Sequence, residues 1–332
     1  MTCSIICLLC AVLTPALLRG AAPSADIIPE FLGQIDEGHL RNGIFHLAKD
    51  PLPFRKVNFT VPGHAHNSLE ETDAWIQDQL AGWGYGVERE ACEVQAFACN
   101  PQKPIHHTYA PPPPDAPKYP AYNLYAKMTG RRLPAEIILL LAHKDSQSWT
   151  DSPGAYDNSV GTVAILEIAR VLAGYASERS IWFLWCNEEH TPWTSVAAAA
   201  ECRRRGDNLI AILNVDSIGG KSDDDIAARR KTNVTLFTTP EGRTLADLMA
   251  EVNDAYRIGL IQSSAQRKSP GDDDGSFVKA GYTRAIANIG SYPYLDAEYH
   301  LAGDTADRVD IVNVRMATQA TLAAVLRLDR AP

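Results

Sequence analysis

Hydrophobic and polar positions divide the chain into two textures. Between Ile27 and Leu80 the apolar residues recur at helical spacing. The clearest case is "SLEETDAWIQDQLAGWGY", where Ser68 is placed to cap, acids crowd the first turn, and Gly82 and Gly84 end the run. "GVEREACEVQAF" then alternates as an edge strand does. Beyond a proline-rich break, short unbroken apolar runs alternate with helical ones. "YNLYAKMTG" and "AEIILLLAH" read as strands, and "SVGTVAILEIARVLAGY" reads as a helix with Val160, Ala164, Ile165, Ile168 and Val171 on one side. The strands "RSIWFLWCN" and "NLIAILNVD" flank the helix "TSVAAAAECRRRG". "NVTLFT", a helix from about Gly242 to Ala255, the strand "TRAIANIG" and a last helix from about Val312 to Leu328 complete the order.

Strands that are apolar along their whole length have both faces covered, and their alternation with helices implies crossover connections. The expected fold is therefore α/β, a three-layer α/β/α sandwich around a central mixed, mostly parallel sheet. One domain over residues 26–332, with a helical lead-in, accounts for the pattern. The loop at 101–120, "PQKPIHHTYAPPPPDAPKYP", has consecutive prolines that withhold the backbone donors a ladder needs. It reads as an excursion from the sheet and not as a domain boundary.

Composition narrows the function classes. With 332 residues and 45% hydrophobic content the chain buries a sizeable core. A net charge of −9 argues against a protein built to grip nucleic acid or anionic lipid. Residues 1–25 read as an export signal, an apolar stretch from about Ile5 to Leu18 followed by small residues, although no Lys or Arg precedes it. The expected location is secreted or periplasmic. Lipid attachment at Cys10 is the weaker reading, because the bulky Leu9 stands where a small residue is wanted. No later segment is long and apolar enough to span a bilayer.

Removal of that signal takes Cys3, Cys7 and Cys10 with it. Of the other four, Cys92 and Cys99 enclose a loop that a disulfide can close in an oxidising compartment, and Cys186 and Cys202 read as buried thiols. Neither of these two pairs has the CxxC spacing of a thiolate zinc site.

Candidate chemistry collects at strand ends. "IILLLA" runs into His143 and Asp145, "IWFLWCN" into Glu188 and Glu189, and "LIAILNV" into Asp216. The carboxyl edge of an open parallel sheet is where ligands bind. Asp157, in "DSPGAYDNSVG", and His300, in "AEYHLAGDTAD", are further candidates. Singly each has an ordinary explanation: Asp157 as a helix cap, the histidines as hydrogen-bonded residues, the glutamates as a solvated loop. Together they gather like charges on one rim, and a divalent cation is what neutralises such a set. Imidazole and carboxylate without thiolate suit zinc, with cobalt or manganese as alternatives. Spacing alone does not assign the roles.

The runs "LLAHKDS", "PGAYDNSVGTVAILEIARVLA", "CNEEHTPWTS", "LNVDSIG" and "YHLAGDTAD" are similar to those of the M28 family of zinc-dependent exopeptidases, the co-catalytic aminopeptidases. The likeness runs from about Tyr122 to Leu328 and implies a zinc-exopeptidase, phosphorylase/hydrolase-like fold. It implies two Zn2+ ions, one held by His143 and Asp216 and the other by Glu189 and His300, with Asp157 bridging them. It further implies Glu188 as the general base and Asp145 as the acid that orients His143. The implied activity is hydrolysis of the N-terminal peptide bond of peptides with a free N-terminus.

Several positions depart from the family pattern. Lys144 stands where an aromatic residue is usual, a change expected to alter the rim of the site. His190-Thr191-Pro192 replace Gly-Leu after the paired glutamates, and His190 reads as a surface histidine ahead of an extra ligand or proton carrier. In "SPGDDDGSF" Asp273 matches the family's acid, and Asp274 falls where a histidine is expected. Leu301 replaces a usual threonine, while Asp304 and Thr305 are retained. A glutaminyl cyclase, which resembles the same fold and uses one zinc, is the rival enzyme, but its Asp-Ser-Ala is here Asp157-Asn158-Ser159. A non-catalytic binding module is the rival of another class. Such modules commonly lose the base or a ligand, and this chain keeps all of them.

Overall fold

The computed structural model describes Met1 and residues 26–332. The export signal and Cys10 lie outside the described residues. Nine α-helices occur among those described: α1 (Ile28–Leu32), α2 (Glu37–Ala48), α3 (Ser68–Gly82), α4 (Val160–Leu172), α5 (Thr194–Arg205), α6 (Asp223–Ala227), α7 (Pro240–Ala255), α8 (Asp272–Lys279) and α9 (Ile311–Asp329). The strands are β1 (Val87–Ala96), β2 (Ala98–Cys99), β3 (Tyr109–Ala110), β4 (Tyr119–Met128), β5 (Leu133–His143), β6 (Arg179–Cys186), β7 (His190–Thr191), β8 (Asn208–Val215), β9 (Thr232–Phe237), β10 (Ile261–Gln266) and β11 (Ala285–Ile289).

Nine of these strands form one sheet in the order β10-β9-β11-β8-β5-β6-β4-β1-β7, and β2 and β3 pair separately. The central four, β11, β8, β5 and β6, are parallel to one another. Antiparallel β4 and β1 extend one flank, and β9 joins β11 antiparallel on the other. The sheet is thus mixed, with the parallel strands at its centre.

Alternation along β5 divides the core into its two layers. Ile138, Leu140 and Ala142 pack with residues of α2, α4 and α9, whereas Ile137, Leu139 and Leu141 pack with Ala198 and Ala199 of α5 and Phe277 of α8. Side chains of this size contribute about 1.5–3 kcal/mol each when fully buried. Because both faces are covered, the strand sequence has no polar side, which is why "IILLLA" is unbroken.

Register brings the strand ends to one level. His143 on β5 lies opposite Cys186 on β6, and Leu141 lies opposite Asn214 on β8. The residues that follow β6 and β8, and the last residue of β5, therefore emerge side by side at the carboxyl edge.

Some elements differ from their sequence reading. The cap of α3 is Asn67, whose side chain accepts from the Glu70 amide at 3.0 Å, while Ser68 begins the helix and bonds Lys56. Strand β10, "IQSSAQ", and helix α8, which opens on three aspartates, lack an apolar run and are not foreseen. Cys92 and Cys99 are both free, so the loop that a disulfide could have closed stays open. Cys92 sits mid-strand in β1 and the chain runs on extended to Ala96, moving away at about 3.3 Å per residue. Cys186 and Cys202 are buried as expected. No helix among the described residues is long and apolar enough to cross a membrane.

Candidate metal centre

Three strand ends and two loops supply the donors. Asp157 arrives on the loop before α4, and its place is fixed by its own backbone. The Tyr156 and Asp157 amides donate to the two carboxylate oxygens of Asp304 at 2.8 and 3.0 Å. Buried Arg55 ties the preceding loop down by donating to the carbonyls of Lys144 at 2.8 Å, Pro153 at 2.6 Å and Gly154 at 2.9 Å. His300 comes from the connection between β11 and α9.

The distances divide these donors into two sets that share one carboxylate. His143 Nε2 lies 3.0 Å from Asp157 Oδ1 and 3.5 Å from Asp216 Oδ1. His300 Nε2 lies 2.9 Å from Asp157 Oδ2 and 3.4 Å from Glu189 Oε1. Each oxygen of Asp157 thus faces a different imidazole. Grouping by mutual separation alone gives a slightly different division, two triads with every donor within 4.8 Å: His143, Asp157 and Glu189, and His143, Glu188 and Asp216. The nearest-atom contacts place Glu189 with His300, and they leave Glu188 Oε2 buried with no hydrogen-bond partner.

Whether a cation fits is decided by the ring nitrogens. His300 Nδ1 is 2.6 Å from the carbonyl of His106, and His143 Nδ1 is 3.2 Å from both the carbonyl and the Oδ1 of Asp145. A carbonyl oxygen only accepts, so both Nδ1 atoms carry their protons. Both Nε2 atoms are then aimed at carboxylate oxygens, and His300 Nε2 finds no hydrogen-bond partner there. A neutral imidazole in that position opposes lone pair to lone pair unless a cation lies between. Ligands about 2 Å from a tetrahedral ion stand roughly 3.3 Å apart, which the observed separations match. Two imidazole-carboxylate sets that share the Asp157 carboxylate suit a two-metal centre, and donors of this kind suit zinc.

Without metal the same groups balance one another as ions. Burial opposes charge on His143 and His300, but the carboxylates outweigh it, raising His143 well above its usual value and His300 to about 10. Burial also works to raise Asp157, yet the two imidazoles hold it well below the usual carboxylate range. Glu189 is pushed up to about 7, chiefly by burial. Zinc requires neutral imidazole, so loading near pH 8 is expected to release protons, and affinity is expected to rise with pH toward the folded-state value of His300. Titration calorimetry in buffers of different ionisation enthalpy reads this, and a buffer-independent heat contradicts it.

Asp145 is the hub behind the donors. It accepts from His143 Nδ1, from the Glu188 and Glu189 amides at 3.0 and 2.9 Å, and from His190 Nδ1 at 2.7 Å. Those donors overcome the burial that would raise it and hold its carboxyl far below the usual range. His190 is the correction here: it is fully buried, not a surface residue. Its Nε2 accepts from the Val57 amide at 3.2 Å, which fixes the proton on Nδ1. Nothing in the text marks this pairing, because Val57 lies far away in sequence. A His190→Phe change leaves that amide unpaired and removes one donor from Asp145. It is expected to lower stability by about 1–3 kcal/mol and zinc affinity about 10–100-fold. Melting with and without zinc, together with a zinc titration, checks both, and unchanged affinity removes His190 from the support of the site.

Lys144 also differs from expectation. Lys144 does not alter the rim: it is fully buried, donating to Tyr122 O at 2.9 Å and Asn187 Oδ1 at 2.7 Å, with Asp73 3.1 Å away. Asp274 is buried against Arg267, which also holds Asp272 at 2.7 Å. Asp273 accepts from Cys186 Sγ at 3.0 Å. Burial first, then Asp273 and Asp272, push the Glu188 carboxyl well above its usual range. The centre opens on a pocket walled by Phe97, Tyr109, Trp193, Tyr294 and Tyr299, with Glu188, Glu189, His300, Asp272 and His107 also lining it.

Residues 123–325, more than half of the chain, match the family model described as Peptidase family M28. The chain belongs to peptidase family M28. This M28 peptidase is 24% identical over 315 residues to a probable aminopeptidase of Saccharomyces cerevisiae, covering 91% of this chain and 76% of the relative. It is 28% identical over 204 residues to leucine aminopeptidase 1 of Sclerotinia sclerotiorum, covering 58% of this chain and about half, 52%, of that relative. Its fold is that of an aminopeptidase from Aneurinibacillus sp. strain AM-1, with a TM-score of 0.69 at 14% identity, covering 92% of this chain and 97% of the other.

Proposed function

We propose that this M28 peptidase removes the N-terminal residue from peptides with a free N-terminus. The observation that carries the reading is the division of Asp157 between two imidazole-carboxylate pairs, beside a Glu188 oxygen that nothing engages. His143 and Asp216 would hold one zinc ion, Glu189 and His300 the other, and Asp157 would bridge. When bound, the pair would lower the pKa of a water and polarise the scissile carbonyl.

Glu188 takes the proton of the attacking water and returns it to the leaving amine, a shuttle that needs a carboxylate near the ions and free of them. Asp145 fixes the proton of His143 on Nδ1 and holds the Glu188 and Glu189 backbone in one place. The acids of the rim attract the ammonium group of the substrate, and the aromatic walls receive the side chain of its first residue. Residues 26–332 act as one domain, secreted or periplasmic after loss of residues 1–25.

A panel of aminoacyl substrates and N-terminal glutamine peptides, with and without chelator, tests the reading. Aminoacyl hydrolysis that stops on chelation and returns with zinc is expected. Cyclisation of glutamine with one ion bound is the result that favours a cyclase, and no turnover on either set favours a binding module.

A further inference from the structure

The proline-rich excursion is not remote from the chemistry. After β2 the chain makes a single 3-10 turn, Ile105–His107, and returns as β3, with Ala98 opposite Ala110 and Cys99 opposite Tyr109. This closed loop reaches the segment that carries His300. His106 Nδ1 lies 2.7 Å from the carbonyl of Tyr299, and the carbonyl of His106 accepts from His300 Nδ1 at 2.6 Å. The two bonds are reciprocal, one in each direction between neighbouring residues of the two segments.

His300 needs that support. Its φ of 60° lies in the left-handed region that L side chains resist, so its own backbone does not secure its direction. Its ring is stacked on Tyr299 at 3.8 Å and met edge-on by Trp149 at 5.3 Å and by His107 at 6.1 Å. The His106 carbonyl then decides which nitrogen keeps its proton and which faces Asp157 and Glu189. His143 has no such dependence, because its Nδ1 acceptor is Asp145, two residues along its own strand end.

We infer that His106 is a positioning residue for His300, and that the loop from Asn100 to Ala110 is a clasp on one half of the metal centre. The inference rests on the two-ion reading above. It makes the two halves unequal. The His143 half is built by the central strands, and the His300 half depends on a contact between residues 194 apart in sequence.

The test compares the full chain with His106→Ala and His106→Asn after dialysis against graded chelator, with zinc counted per chain and melting followed on the metal-free proteins. His106→Ala removes the ring that donates to Tyr299, and it is expected to lose one ion at about 10–100-fold lower chelator activity than wild type, while the second ion holds. In His106→Asn the amide nitrogen stands in for Nδ1 and restores retention. Equal retention in wild type and His106→Ala overturns the inference. Loss of both ions together, with a lowered metal-free melting temperature, overturns it also, since that marks a general structural role. A wild-type chain that holds fewer than two ions defeats the two-ion reading itself, and the clasp with it.

Discussion

A Glu188→Gln enzyme is expected to keep both zinc ions and to lose turnover by about 10²–10⁴-fold, the usual contribution of a positioned general base. The two properties separate because Glu188 differs from its neighbour in what it touches. Glu189 Oε1 lies 3.4 Å from His300 Nε2, among the donors, whereas Glu188 Oε2 is buried without a partner. Glutamine keeps the shape and the hydrogen bond that the backbone amide donates to Asp145 Oδ1, but cannot take a proton. The loss is expected in kcat with little change in KM, because the base acts in the transition state and not in holding substrate. Steady-state kinetics with zinc counted on the same sample decides it. Retained turnover sinks the assignment, and loss of zinc moves Glu188 into the ligand set.

An Asp157→Ala chain is expected to bind fewer than one zinc per chain and to show no hydrolysis above background. Asp157 is the single group whose two oxygens serve both imidazoles, at 3.0 and 2.9 Å, so its removal weakens both halves at once. By contrast, loss of His300 is expected to empty only one half. The chain should remain folded, because the Asp157 backbone is held to Asp304 by its amide and not by its side chain. Zinc analysis beside a melting curve reads the outcome. Two ions retained in the folded Asp157→Ala protein contradict the bridge.

The strands and their donors were legible because the same pattern carries both. A fully apolar strand marks the sheet centre, and a charged residue at its carboxyl end has nowhere to go but the rim; His143, Glu188, Glu189 and Asp216 follow from this. Asp157 is harder to read, since a helix cap explains an aspartate in that position equally well, and its direction is set by distant partners: Asp304 on its backbone amide and Gln147, whose Nε2 donates to Oδ2 at 2.8 Å. What the text did not carry depends on partners far along the chain. His190 is buried because the Val57 amide meets it, and Lys144 turns inward because Asp73 and Asn187 receive it. The clasp at His106 falls in a stretch that reads only as proline-rich loop. Its paired histidines, His106 and His107, were the one available signal. Strand β10 leaves no mark in the sequence because an outermost, exposed strand needs no apolar run.

The most direct measurement is anomalous diffraction from zinc-loaded crystals at the zinc absorption edge. Two peaks are predicted, one on each side of the Asp157 carboxylate, the first beside His143 and Asp216 and the second beside His300 and Glu189. A single peak, or two peaks that leave Asp157 outside their shared ligands, contradicts the account.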